Sequence, residues 1–149
     1  MLYLGSDHGG FALKGKLCAF LKERGIAYED LGTQSTESCD YPRYAALVAA
    51  KVQANSAHRG ILICTSGIGM VIAANKFHGI YAARLTQPEE VKLARQHNGI
   101  NMLCLPGNIT QDLACEMVTL FLETPLDTSD RHCRRRQLIA DFERRNAEY

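Results

Sequence analysis

Gly60-Ile61-Leu62-Ile63-Cys64 is an unbroken apolar run, and it leaves the chain few folds to choose from. A run without polar alternation is a strand buried on both faces, as found in parallel sheets covered by helices. It flows into Thr65-Ser66-Gly67-Ile68-Gly69, a glycine turn, and then into Val71–Asn75, read as a helix. The rest of the chain repeats this alternation. Leu2–Ser6 reads as a strand, followed by a helix carrying Leu13, Leu17, Phe20 and Leu21 and stopped by Gly25. Ile26–Leu31 reads as a second strand, residues 33–40 as a loop, and Tyr44, Val48 and Val52 as the buried stripe of a second helix. Gly79–Ala83 and Asn101–Leu105 supply two further strands. Between them Thr86-Gln87-Pro88-Glu89 has the form of a capping box opening a helix that reaches Asn98. Leu113, Met117, Leu120 and Phe121 line a fifth helix, and a last one spans about residues 131–146.

Strand–helix alternation with short joins implies helices on both faces of a parallel sheet. The expectation is a single α/β domain over residues 1–149, a doubly wound, Rossmann-like three-layer sandwich with a five-stranded parallel sheet and an extra C-terminal helix. That helix can pack on a partner subunit or on its own sheet.

Composition narrows the function. Seventeen lysines and arginines against 16 aspartates and glutamates leave a formal charge of +1, so no general field draws the chain to nucleic acid or to an anionic membrane. The stretch from Gly60 to Asn75 is free of charge but broken by glycines and polar residues, unlike a membrane span. Met1–Asp7 is too short for a signal peptide. The six cysteines show no CxxC spacing, which points to free cytosolic thiols rather than to disulfides or zinc. The expected setting is cytoplasmic, with no zinc site.

In a doubly wound sheet the ligand crevice lies beyond the carboxyl ends of the strands. Asp7-His8, Cys64 with the glycine loop, Arg84 and Asn108 fall there. A thiol at a helix start feels backbone N–H groups that favour the thiolate, although a buried cysteine also serves as a small core residue, as Cys18, Cys104 and Cys115 do. The loop 65–69 can form a nest for phosphate or a developing oxyanion, or simply a tight turn. Asp7-His8 can move protons or cap a helix, and His97-Asn98 can act chemically or close one. Arg131 and Arg135, four apart, share a helix face suited to a phosphate monoester or to plain solvation. A Cys-x5-Arg phosphatase loop is excluded, because Met70 stands where its arginine belongs. A flavodoxin-like phosphate loop belongs after the first strand, not the third.

Taken together, the segments Gly5-Ser6-Asp7-His8-Gly9-Gly10-Phe11, Asp40-Tyr41-Pro42, Gly60–Cys64 with Gly67-Ile68-Gly69, Ile72-Ala73-Ala74-Asn75-Lys76, Arg95-Gln96-His97-Asn98 and Arg131-His132 with Arg135 resemble the ribose-5-phosphate isomerase B family, which also holds galactose- and allose-pathway isomerases. The resemblance spans nearly the whole chain. It implies aldose–ketose isomerisation of a sugar phosphate through a cis-enediolate, without metal or cofactor, in a homodimer or tetramer whose active sites are shared between subunits. It implies that Cys64 carries the proton between C2 and C1, and that Ser66 and the N–H groups of Thr65, Gly67, Ile68 and Gly69 hold the enediolate oxygens. His97 opens the furanose ring with help from Asp7, Tyr41 walls the site, and Asn98 and Asp7 bind hydroxyls. His8, Arg131 and Arg135 bind phosphate, the two arginines from the partner subunit.

One branch of the family uses a glutamate base where this chain has Met70, so Cys64 marks the cysteine-using kind. Three departures bear on the substrate. Asn108 stands where the family usually has arginine, Thr65 replaces the usual glycine with an expected change of loop geometry, and Ser129-Asp130 replaces two glycines before Arg131. Ribose 5-phosphate is the expected substrate. A six-carbon sugar phosphate such as allose 6-phosphate, and a non-catalytic sugar-phosphate-binding protein, are the alternatives.

Overall fold

The computed structural model describes residues 1–145. Its five strands are β1 (Leu2–Ser6), β2 (Tyr28–Asp30), β3 (Arg59–Cys64), β4 (Ala82–Arg84) and β5 (Met102–Pro106), all parallel and ordered β2-β1-β3-β5-β4. The helices are α1 (Phe11–Glu23), α2 (Tyr41–Gln53), α3 (Ile68–Ala74), α4 (Pro88–Leu93), α5 (Gln111–Glu123) and α6 (Asp130–Arg144). The doubly wound sandwich expected from the sequence is present.

Two apolar layers flank the sheet because β1, β3 and β5 are buried on both faces. Leu4, Ile61, Ile63, Leu103 and Leu105 pack under α1, α4 and α5. Leu62, Met102 and Cys104 pack under α2 and α3. The order in which strands are added to the sheet reverses between β1 and β3, and their paired ends, Ser6 opposite Ile63, place Asp7 beside Cys64 at the switch point. Asp7 stays there because its main-chain N–H bonds the Ile63 carbonyl at 3.2 Å. Beneath the same region Lys14 is fully buried on α1, its ammonium 2.6 Å from both carboxylate oxygens of Asp30.

Several boundaries differ from the sequence reading, each for a local reason. β2 is half as long as Ile26–Leu31. Helix α3 starts at Ile68, three residues early, because Gly67 takes the left-handed cap position at φ 75°. Strand β4 starts at Ala82 rather than Gly79, since Gly79 turns at φ 73° and the Asn101 side chain takes the Tyr81 N–H. The expected Thr86–Glu89 box does not form. Gln87 is the N-cap of α4, Pro88 occupies the first turn, and the Glu90 carboxylate accepts the Thr86 N–H at 3.4 Å. The helix expected to reach Asn98 is α-helical only to Leu93, after which Ala94–Asn98 widens into a π turn ended by Gly99 at φ 66°. Helix α6 begins at Asp130; its expected end at Asn146 lies outside the described residues.

Candidate active site

Cys64 is the last residue of β3, and the residue is 4% exposed. The Gly67 N–H donates to its Sγ at 3.1 Å. The strand end is held by Gly107, whose N–H bonds the Cys64 carbonyl at 2.8 Å. Gly67 has to be glycine twice over. Its φ is positive, and a Cβ would lie 3.0–3.1 Å from the Leu105–Pro106 backbone. Beyond it the N–H groups of Thr65, Ser66 and Gly69 find no acceptor among the described residues, while Ile68 N–H is taken by the Ser66 hydroxyl at 3.2 Å. A buried sulfur therefore sits next to a row of unpaired main-chain donors, the arrangement an oxyanion needs. Neighbouring Cys104 is fully buried, and burial first, then Cys64, pushes its thiol well up; it is a packing residue.

The rest of the crevice is built around that pair. Asp7 is buried and its carboxylate accepts from the N–H groups of Gly9 and Gly10, at 2.9 and 3.1 Å, just ahead of α1. His8 is exposed, and its Nδ1 lies 3.2 Å from the Cys39 N–H, which donates to it. In the neutral ring this leaves the proton on Nε2, free to point at a ligand. Tyr41 opens α2 and lies so close to Gly69 that a Cβ there would meet its ring at 2.6 Å. Arg84, at the end of β4, donates from Nε to the Ser66 carbonyl at 2.6 Å and braces the loop; Asn108 is exposed past β5. The altered loop geometry expected from Thr65 is absent in one respect: among the described residues only glycines have a positive φ, so Thr65 keeps an ordinary backbone. Its side chain lies over Gly9 instead.

The second group of expected site residues is elsewhere. Helix α4 runs back toward the amino ends of the strands, so His97 and Asn98 precede β5 by a short turn. Cys64 lies at the carboxyl end of the neighbouring strand, opposite Pro106. The four steps from Gly60 to Cys64 alone amount to about 13 Å along the strand. The sequence reading joined His97 to Asp7 in one crevice, and within one chain the structure does not: they occupy opposite ends of the sheet.

Around His97 a second cluster is assembled. Arg136 of α6 donates to the carbonyls of His97 (3.1 Å), Gln96 (3.4 Å) and Asp127 (2.8 Å), and the Asp127 N–H bonds the Gln96 carbonyl at 2.9 Å. Buried Arg95 closes the turn on the Ile100 carbonyl. The His132 ring stacks on His97 with centroids 4.1 Å apart and planes within 5°. His132 Nε2 lies 3.6 Å from Asp127 Oδ2. Arg131 and Arg135 project beside this stack into solvent and make no ion pair among the described residues. The sequence assigns His132 no role. Its partner lies 35 positions away in the sequence, and no spacing rule couples them.

His97, Asp127 and His132 also bring possible metal-ligand atoms within 4.8 Å of one another. A metal ion lies in the plane of each imidazole it binds, and two parallel planes do not converge on one point. The cluster as arranged stacks rather than chelates.

Known proteins share this fold and much of this sequence. Residues 2–139 match the Ribose/Galactose Isomerase family model. The chain is 42% identical over 142 residues to ribose-5-phosphate isomerase B of Escherichia coli K12, covering 95% of each protein. It is similar to the crystal structure of the Thermotoga maritima ribose 5-phosphate isomerase, with a TM-score of 0.90, 46% identity, and coverage of 94% of this chain and 97% of that one. It is similar also to the Mycoplasma genitalium ribose-5-phosphate isomerase B with bound ribulose 5-phosphate, with a TM-score of 0.91, 38% identity, and coverage of 96% and 95%. A parallel sheet carrying a thiol and an amide cradle at its switch point, matched along nearly its full length, belongs to the ribose/galactose isomerase family.

Proposed function

We propose that this protein interconverts ribose 5-phosphate and ribulose 5-phosphate through a cis-enediolate, with Cys64 as the proton carrier. The observation that carries the reading is the buried Cys64 sulfur, bonded by the Gly67 N–H and bordered by the unpaired N–H groups of Thr65, Ser66 and Gly69. A carbon acid beside a carbonyl needs a base and a place for the oxygen charge, and removing one such donor typically costs roughly 2.7–4 kcal/mol of barrier.

His97 first opens the furanose. It takes the proton from O1, the C1–O4 bond breaks as the aldehyde forms, and the proton goes to O4. The Cys64 thiolate then takes the C2 proton. The electron pair moves into a C1–C2 double bond, and the negative charge on O1 faces the loop amides and Ser66. The thiol returns its proton to C1, and the hydroxyl proton passes from O2 to O1, leaving the ketose. Asp7 and Asn98 hold hydroxyls, Tyr41 closes the wall, and His8, Arg131 and Arg135 hold the phosphate.

The opposite placement of the two clusters supports a homodimer in which one protomer's Cys64 crevice receives His97, Asn98, Arg131 and Arg135 of its partner. Apolar side chains suited to the contact are exposed on α2 and α3 (Leu47, Ile68, Ile72) and on α6 (Leu138, Ile139, Phe142). No helix of the described residues is long and apolar enough to cross a membrane. Unpaired cysteines fit the reducing cytoplasm, the compartment proposed for the enzyme.

The test is an isomerisation assay on ribose 5-phosphate and allose 6-phosphate with the Cys64→Ser control. The expected result is a preference for the pentose and loss of at least about a hundredfold in kcat for the variant, with substrate binding kept. Full turnover by Cys64→Ser contradicts the assigned base. Equal or better rates on allose 6-phosphate contradict the assigned substrate, as Asn108 in place of arginine would then have reshaped the phosphate end of the site.

A further inference from the structure

At the amino end of the sheet, the end away from Cys64, a cavity of about 420 Å³ opens between the start of β3, the approach to β4 and the π turn. Its polar wall is made by Arg59, Arg95, Gln53, Ser56, Tyr81 and Asn101, and no carboxylate lines it. Arg59 opens β3, five steps or about 16 Å along the strand from Cys64. None of the groups assigned to the substrate lines this space.

Two guanidiniums meet here without a counter-charge. Arg95 is 4% exposed; its Nη1 donates to the Ile100 carbonyl, and its Nε has no hydrogen-bond partner. Arg59 is half-buried. Neither makes an ion pair among the described residues. Their Cζ atoms lie 5.9 Å (Arg59) and 6.0 Å (Arg95) from the centroid of the Phe121 ring, the outer range of cation–π attraction, and the ring brings no charge. Burial, then the charge of Arg59, brings the pKa of Arg95 down to about 10. Neighbouring like charges withdrawn from water are costly unless an anion joins them.

We propose that this cavity binds a tetrahedral oxyanion, either inorganic phosphate or the phosphate of a small organic ester, between Arg59 and Arg95 and apart from the substrate crevice. A phosphate dianion cancels both charges, where a carboxylate cancels one, and its oxygens match the donor forks of two guanidiniums. The side-chain amides of Gln53 and Asn101 already donate to the carbonyls of His78 and Gly79, so the arginines carry the recognition. The volume is that of a small-molecule site. Because Arg95 belongs to the π turn, an anion held here also ties that turn to the start of β3.

The experiment follows thermal unfolding with inorganic phosphate, and separately with glycerol 3-phosphate, against chloride at equal ionic strength. The parent protein carries Arg131→Ala and Arg135→Ala, which weaken the substrate's own phosphate site. Arg95 is left in place, since it closes the π turn, and Arg59 is varied. The expected result in the parent is a rise in Tm of about 4 °C at about ten times the Kd. Either ligand producing that rise supports the site, and the larger rise identifies the source of the phosphate. Arg59→Gln is expected to abolish the rise and Arg59→Lys to keep at least about half of it, as a retained point charge should. Arg59→Asp gives Arg95 a carboxylate of its own. It is expected to unfold at a higher temperature than the parent in chloride and to ignore phosphate. Native circular dichroism in each variant separates loss of the response from loss of the fold. No rise with either ligand in the parent, an equal rise in Arg59→Gln, or a response that survives Arg59→Asp overturns the proposal.

Discussion

A sulfur that moves one proton between adjacent carbons has to stay close to both, and the Gly67 N–H fixes its place. The donors around it come from main chain, so side-chain substitutions in the loop remove little of the oxyanion site. Ser66→Ala is accordingly expected to lower kcat by about tenfold to a hundredfold, toward or below the low end of the loss for a single oxyanion donor. A loss as deep as that of Cys64→Ser, measured in the same assay, would make the hydroxyl the principal group. Among the described residues Arg131 and Arg135 make no ion pair, which suits groups reserved for a ligand. Removing either is expected to raise KM by about ten- to a hundredfold, the worth of a charge-assisted hydrogen bond, with kcat changed less. An unchanged KM would return them to the solvated basic face that their spacing equally allows. Lys14 and Asp30 carry structure rather than chemistry. Asp30→Asn leaves a buried ammonium without its counter-charge and is expected to cost about 3 kcal/mol in urea unfolding. A cost near zero would show that the ammonium finds other relief.

At the scale of elements, the π turn of Ala94–Asn98 and helix α6 act as one unit, sewn together by Arg136 through three carbonyls. Arg136→Ala is expected to speed amide exchange at residues 94–98 and to slow ring opening while sparing C1 exchange of ribulose 5-phosphate. Unchanged amide exchange would mean that the turn holds itself. The buried apolar runs made β1, β3 and β5 legible, and the glycine loop with its thiol was equally so, because continuous burial and positive-φ glycines leave signatures in one local stretch. The edges of β4 and the course of α4 were not. They depend on the Asn101 side chain, on Gly79, and on a widened turn whose fasteners come from α6, 39 and 40 residues further on. The His97–His132 stack was hidden for the same reason. Its pH consequence follows from the direction of the shift. The folded state holds His132 neutral more strongly than the unfolded chain does, so unfolded chains bind more protons as pH falls through the ordinary histidine range. Stability is therefore expected to decline on acidification from pH 7 through that range, and to decline less in His132→Phe. Equal slopes in denaturant titrations at several pH values would contradict it.

On the scale of the whole molecule, the sheet keeps the two clusters apart. Cys64, Asp7 and the amide cradle lie past the carboxyl ends of the strands, and His97 with the α6 arginines lies toward the amino ends. No side-chain motion within a single chain closes a gap set by strand length. The exposed Leu138, Ile139 and Phe142 of α6, with Ile68 and Ile72 beside the thiol's own loop, are placed so that α6 of one protomer can cover the crevice of the other. Sedimentation is expected to show a dimer or a larger even assembly, and a monomer that turns over ribose 5-phosphate at the full rate would refute a shared site. The most direct measurement mixes two variants, Cys64→Ser and His97→Ala, each expected to be nearly inactive on ribose 5-phosphate alone. Random exchange of protomers makes half the dimers mixed, each with one intact site of two, so about a quarter of wild-type activity should return. Mixed dimers that form, as verified by mass, but stay inactive would contradict the account at its centre, since they would show that Cys64 and His97 of different chains do not serve one substrate.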